Sequence, residues 1–239
     1  MQYLDLTLPT PEQNLALEEA LLDACEAGRS PGCLRVWEPQ QYFVVVGYSN
    51  RVATEAALAA CAEDNVPILR RCTGGGTVLQ GPGCFNYALT LPIDLTPELA
   101  TIHSTNHYVL KRNAEVIAGL IGTAVKQEGH TDLAVSGAKL SGNAQRRRQH
   151  ALLFHGSFLL SMDIEKIHRY LPTPSNEPEY RQKRSHRDFV MNLGLPPEAL
   201  KQALRAAWNA NVEYQQINQE AVSQLVQARY SRREWNFKF

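Results

Sequence analysis

Three short segments carry residue types that could act together on an anionic substrate. The first is Arg70-Arg71-Cys72-Thr73-Gly74-Gly75-Gly76-Thr77. Three consecutive glycines behind a strand let backbone N–H groups approach an anion closely. Two adjacent arginines can grip a carboxylate or phosphate through paired hydrogen bonds. The glycines alone fit a flexible hairpin turn equally well, and it is the arginine pair that favours an anion site. No Gly-Lys-Ser/Thr follows, so the run is not a P-loop, and it lacks the GxGxxG spacing of dinucleotide sites. The second segment, Ser136-Gly137-Ala138-Lys139-Leu140-Ser141-Gly142-Asn143-Ala144-Gln145, sets a lysine among small residues that leave room for a ligand. Its ammonium could neutralise charge building at a phosphate or acyl-phosphate carbonyl. A lone lysine of this kind is ordinarily an exposed strand residue, but Gly and Asn are poor strand formers and weaken that reading. The third, Leu153-Phe154-His155-Gly156-Ser157-Phe158-Leu159-Leu160, places a His-Gly step inside an apolar strand. Such a step marks either close backbone approach or a core histidine bonded to backbone.

Other chemistry is excluded or weak. There is neither a GxSxG elbow nor an HExxH helix. Cys84 paired with His155 would be a nucleophile with its base, yet nothing nearby lowers a thiol pKa, and a buried inert cysteine is the commoner state. Arg146-Arg147-Arg148 and the cluster Arg181, Lys183, Arg184, His186, Arg187 read as a solvated face or as a basic surface for an acidic partner.

The elements that must position these groups follow from pattern. Thr10-Pro11-Glu12-Gln13 is a capping-box helix start, and Leu17, Leu21, Ala24 and Cys25 continue it until Gly28. Strands are expected at Cys33–Trp37, Tyr42–Val46 and Val66–Arg71, with an Ala-rich helix at Glu55–Glu63. Phe85, Tyr87, Leu89 and Leu91 alternate as in a half-exposed strand. A long helix begins near Ser104. Short strands follow at 124–127, 132–136, 138–147 and 151–160. A short helix carries Ile164, Ile167 and Leu171. The Pro-rich stretch 172–187 is a loop, and two helices, from Pro197 and over 220–230, close the chain. This is an α/β (α+β) plan, with a mixed, largely antiparallel sheet flanked by helices. The irregular strand clusters argue against Rossmann and TIM-barrel plans.

Composition sets outer bounds. The 239 residues carry 24 basic and 24 acidic side chains, 44% hydrophobic and 20% charged, so global disorder and nucleic-acid binding by bulk charge are excluded. The zero is uneven: residues 1–138 are net −7, 139–187 net +6, and 188–239 net +1. No apolar run reaches a membrane-spanning length, and the first residues lack a signal-peptide pattern. Five cysteines without a CxxC point to reduced thiols and a cytoplasmic setting rather than zinc or disulfides.

Taken in order, RRCTGGGTV, FNYAL, GAKLSGNAQRRR and HGSFLL resemble the lipoate–protein ligase family, whose fold is related to biotin–protein ligases and class II aminoacyl-tRNA synthetases. NLALEEALL, LRVWEPQQYFVVVGYSN and EWNFKF extend the resemblance over nearly the whole chain. It implies one catalytic domain over 1–239, without the small C-terminal accessory domain of longer ligases, so that a separate accessory polypeptide is a possible partner. It implies two half-reactions: lipoate and ATP, with Mg²⁺, give lipoyl-adenylate and pyrophosphate, and a lysine of an acceptor then displaces AMP. The acceptors would be lipoyl domains of 2-oxoacid dehydrogenase subunits or the glycine cleavage H protein, with no membrane or nucleic-acid partner. Lys139 would be catalytic, bridging the lipoyl carboxylate and the α-phosphate. Arg71, Gly75, Gly76, Thr77, Val78, Leu79, Asn86, Ser141, Gly142, Asn143 and Ala144 would bind nucleotide with Lys139. Arg70, Gly74, Gly75, His155 and Gly156 would join Lys139 around lipoate. Two departures stand out. Leu79-Gln80-Gly81-Pro82-Gly83 replaces the family's usual His-Asp pair before Gly and Asn, and Thr73 stands where Ser is common. The rival within the superfamily is an octanoyl/lipoyl acyltransferase that works through a cysteine thioester without ATP. Its nucleophile lies near or after the Lys139 segment, whereas this chain has no cysteine after Cys84.

Overall fold

The computed structural model describes residues 1–174, 176–215 and 217–239; Ser175, within the stretch read as a loop, and Gln216 lie outside the described residues. The strands are β1 (Gln2–Asp5), β2 (Cys33–Trp37), β3 (Phe43–Val46), β4 (Ile68–Arg70), β5 (Val78–Gln80), β6 (Cys84–Pro92), β7 (Lys126–Glu128), β8 (Asp132–Val135), β9 (Ala138–Arg147), β10 (Ala151–Leu159) and β11 (Val212–Glu213). Eight form one sheet in the order β11-β1-β2-β6-β10-β9-β8-β7, and β4-β3-β5 form a smaller one. In the large sheet β1 runs parallel to β2 and β11, and every other neighbour is antiparallel. The mixed, largely antiparallel sheet flanked by helices is therefore what the pattern of elements implied.

Each face of the large sheet is covered. Alternate residues Leu34, Val36, Phe85, Tyr87, Leu89, Leu152, Phe154 and Phe158 pack with Val109, Leu110 and Ile117 of the helix Ile102–Ile121, and with Leu200 and Leu204 of the helix Pro197–Ala207. On the other face lies α1 (Pro11–Glu26). Thr10 caps it by accepting from Gln13, and Leu15, Leu17 and Leu21 pack with Trp37, Phe43, Val45 and Leu69. This double cover corrects the half-exposed reading of Phe85–Leu91: β6 is buried along Cys84–Leu91. Its polar alternates Asn86 and Thr90 face the interior on the α1 side rather than water. Period-2 alternation reports a change of partner, not exposure, when both faces are covered.

The other differences are local. The Ala-rich segment divides into Val52–Glu55 and Leu58–Glu63. The long helix starts at Ile102, capped by Thr101 with Ser104 in a reciprocal box. Within 172–187 there is a 3-10 turn, Glu179–Arg181, and the helix His186–Phe189 begins there. No helix among the described residues is long and apolar enough to cross a membrane.

Candidate active site

Residues opposite each other in a ladder share a face, and the registers of the large sheet therefore lay out the site. One row crosses five strands: Trp37, Asn86, Ser157, Gly142 and Asp132. The adjacent row on the same face is Arg35, Ala88, His155 and Ala144. The row passes from an apolar end at Trp37 to a charged end at Asp132. Above it lie α1 and the small sheet, and between them is a cavity of about 120 Å³.

Lys139 reaches this row through a β-bulge. Pairing with β8 runs Asp132 to Gly142 and Leu133 to Ser141, then Ala134 to Lys139, so Leu140 is the extra residue. The bulge brings Lys139 onto the face of Gly142, which a regular strand would deny it. A Cβ on Gly142 would stand 3.1 Å from Lys139 Nζ, so the ammonium lies directly over that glycine. Asp132 Oδ1 holds it at 2.8 Å, and Asp132 Oδ2 accepts the Tyr180 hydroxyl at 2.8 Å.

The triple-glycine loop is organised from beneath. Arg71 Nη2 donates to the carbonyls of Gly74 and Gly76 at 2.7 Å each, and its Nε donates to Gly74 at 3.1 Å. Gly75 has φ +87°, a left-handed conformation that suits glycine. Asn50 donates to its carbonyl. Burial brings the Arg71 guanidinium down to about 10 without threatening its charge. Arg70 points elsewhere. It is fully buried, with Nη1 donating to Gly47, Tyr48 and Asn50 carbonyls, Nη2 to Asn236 and Nε to Trp235. The paired-arginine grip on an anion is therefore not what the structure contains: one arginine ties the loop, and the other ties the C-terminal segment to the sheet.

His155 lies between two partners. Its Nδ1 is 2.5 Å from Glu18 Oε2, and its Nε2 is 2.7 Å from Thr73 Oγ1. Glu18 projects from α1, 3% exposed, and also accepts from Trp37 Nε1 at 2.9 Å. Burial alone would raise its carboxyl, but His155, Arg35 and Trp37 outweigh burial and hold it below the ordinary value.

Of the residues expected at the site, Arg71, Gly76, Thr77, Val78, Asn86, Lys139, Gly142, Asn143, Ala144, His155 and Gly156 line the cavity. Gly74 and Gly75 belong to the exposed loop beside it. Leu79 packs in the core with Cys84 and Met162, and Ser141 is buried beside Asn143. The cavity also includes residues the sequence reading did not select: Leu15, Glu18, Trp37, Val45, Gln80, Thr131, Asp132 and Ser157. Glu18 carried a usable signal, since it shares a helical face with Leu15 and Leu22, where a carboxylate needs a partner. The arginine run is not a free basic face. Arg146 donates to the Cys72 carbonyl, Arg147 to Leu99 and Thr105, and Arg148 pairs with Asp23. Among the described residues no cluster of three His, Cys, Asp or Glu side chains is placed to hold a metal. All five cysteines are buried and free. Burial pushes Cys33, Cys72 and Cys84 up to about 12 and Cys25 to about 11.

The profile described as lipoyl protein ligase A/B catalytic domain matches residues 10–207. A probable lipoate-protein ligase A of Mycoplasma pneumoniae is 26% identical over 237 residues, covering 95% of this chain and 68% of the relative. An octanoyltransferase LipM of Lysinibacillus sphaericus is 25% identical over 268 residues, covering 96% and 95%. A crystal structure of lipoate-protein ligase A bound with ATP superposes with TM-score 0.81 at 21% identity, over 99% of both chains. A bipartite lipoate protein ligase of Thermoplasma acidophilum, studied with its E2 lipoyl domain, gives 0.82 at 21%, over 99% and 96%. The biotin protein ligase of Leishmania major with biotin gives 0.52 at 12%, over 95% and 79%, which extends the fold likeness to biotin ligases.

Proposed function

Because the chain belongs to the lipoyl protein ligase A/B catalytic-domain family, and is thus an enzyme of the lipoylation pathway, we propose that it is the ATP-dependent member of that pathway: it joins lipoate to AMP and passes the lipoyl group to a lysine of a lipoyl domain. The observation that carries the reading is the placement of Lys139 against the placement of the thiols. Lys139 Nζ stands over Gly142 in the cavity. Among the described residues no cysteine lines that cavity, and burial holds the Cys72 and Cys84 thiols protonated. A thiolate is needed to carry an acyl group as a thioester, whereas an ammonium suffices to stabilise an adenylate.

On this reading the acyl chain lies toward Leu15, Trp37, Val45 and Val78, and its carboxylate toward Lys139. Lys139 draws together two anions that would otherwise repel, the carboxylate and the α-phosphate, and stabilises the charge that builds between them. The loop held by Arg71 supplies backbone donors to the nucleotide, with Thr77, Val78, Asn86 and Asn143 around it. Leu79 and Ser141 support this wall from behind. Mg²⁺ would enter on the nucleotide phosphates, which supply most of the ligands this ion needs, while Asp132 stays engaged by Lys139 and Tyr180. In the second step an acceptor amine attacks the acyl carbonyl, and AMP leaves. His155, fixed by Glu18 and Thr73, forms the wall between acyl chain and nucleotide.

A lipoyl domain is the acceptor by analogy with the Thermoplasma acidophilum system, and the bipartite nature of that ligase favours a separate accessory polypeptide here as well. The test is acyl transfer to a lipoyl domain from an octanoyl-loaded carrier without ATP, set beside transfer from free lipoate with ATP. Transfer only in the second assay is expected. Equal or faster ATP-free transfer would make the chain an acyltransferase.

A further inference from the structure

We propose that Ser157 is a second donor to the reacting carboxyl group, beside Lys139, and that Gln80 positions it. The inference rests on the ligase reading and adds two residues to the same site.

The argument begins with register. Ser157 pairs directly with Gly142 across β10 and β9, and side chains so paired have Cβ positions about 4.5–5.5 Å apart. The missing Cβ of Gly142 is the point from which Lys139 Nζ is 3.1 Å distant. The ammonium and the Ser157 hydroxyl therefore flank one spot above a residue with no side chain. A carboxyl oxygen seated there meets both.

The hydroxyl is also aimed. Asn86 Nδ2 donates to Gln80 Oε1 at 2.9 Å, and Gln80 Nε2 donates to Ser157 Oγ at 2.8 Å. Asn86 and Gln80 are 4% and 6% exposed, and all three side chains line the cavity. With one lone pair of Oγ occupied by Gln80, the serine's own proton is left to be donated. Each bond in such a chain polarises the next. Two buried amides are costly unless their groups are satisfied; here part of that capacity orients a third residue. Gln80 belongs to the stretch that departs from the family's usual His-Asp pair, so the arrangement is written into this chain's own sequence.

In the transfer step the acceptor nitrogen bonds to the acyl carbon, and the carbonyl oxygen becomes an anion. The carbon–oxygen bond to the phosphate then breaks, its electron pair leaving on AMP, and the amine's proton passes to water. Ser157 donates to the transient oxyanion while Lys139 faces the phosphate side. In adenylate formation the carboxylate is charged from the outset, so the gain from this donor is smaller there.

The experiment compares wild type, Ser157→Ala, Gln80→Met, the double variant and Ser157→Thr in single-turnover transfer from preformed lipoyl-adenylate to a lipoyl domain. Lipoate-dependent pyrophosphate exchange and thermal midpoints are measured in parallel. Ser157→Ala is expected to slow transfer by about 100-fold, with exchange less affected and the KM for lipoate nearly unchanged. Gln80→Met should slow transfer by less, the double variant should be no slower than Ser157→Ala, and Ser157→Thr should restore most of the rate. Additive losses, a KM effect without a rate effect, or unchanged transfer would overturn the inference. If wild type forms no adenylate, the ligase reading itself has failed. The same variants are then read in transfer from a lipoyl-loaded carrier, where the acyl carbonyl also becomes an oxyanion: a non-additive loss upholds Ser157, and unchanged rates reject it.

Discussion

The Lys139 ammonium is held 2.8 Å from one oxygen of Asp132, while Tyr180 donates to the other, so the lysine that lines the cavity is fixed by a carboxylate that is itself fixed. The pair is partly exposed, and its worth is position rather than stability. Replacing Asp132 by Asn keeps the shape and the Tyr180 bond but removes the charge that holds Lys139. Lipoate-dependent exchange should fall by about tenfold, with the thermal midpoint little changed.

Two glycines of the site separate positioning from packing. A Cβ at Gly142 crowds the far end of Lys139, at 3.1 and 3.2 Å, which can move, and meets Asp132 Oδ1 at an ordinary 3.8 Å. Gly142→Ala should therefore fold normally and lose about 10–100-fold in rate as the ammonium is displaced. A Cβ at Gly156 would lie 1.9 Å from Asn143 Oδ1 and 3.0 Å from the Gly142 carbonyl. Gly156→Ala should cost about 2 kcal/mol of stability, read from urea unfolding.

The neighbouring arginines should differ in kind. Arg70→Ala strips donors from five backbone carbonyls and should destabilise the fold by about 3 kcal/mol. Arg71→Ala frees the carbonyls of Gly74 and Gly76 and should act on the loop. Its expected signature is a raised KM for ATP with a smaller change in urea midpoint.

These contrasts also mark what the sequence could and could not reveal. The capping box at Thr10, the Cys33–Trp37 strand and the cluster around Lys139 are local patterns and were legible. Asp132 and Glu18 were not, because each matters through a residue distant in sequence: Asp132 through the bulge at Leu140, and Glu18 through His155, 137 positions away. Arg70 and Arg71 look alike in sequence, and only the chain folding back at Trp235 and Asn236 distinguishes them. The alternation in β6 was visible, but its polar side could not be recognised as site-facing without knowing that α1 covers it.

Glu18 gives a prediction with a pH signature. Its carboxyl is held below the ordinary 4.5, despite burial, by His155, Arg35 and Trp37. A depressed carboxyl adds stability that is fully present above the unfolded-state value and is lost as pH falls through the lower folded-state value. Glu18→Gln should therefore cost about 2 kcal/mol near neutral pH. The gap to wild type should close as pH drops below 4.5, measured by urea unfolding across that range. A gap independent of pH would separate Glu18 from the charge network.

The central claim is that Lys139 serves adenylate chemistry, and the most direct measurement is lipoate-dependent ATP–pyrophosphate exchange by the purified chain, with Lys139→Ala in parallel. The account predicts exchange in wild type that requires lipoate and is abolished by the substitution. Absence of exchange in wild type, or exchange that survives Lys139→Ala, would contradict it.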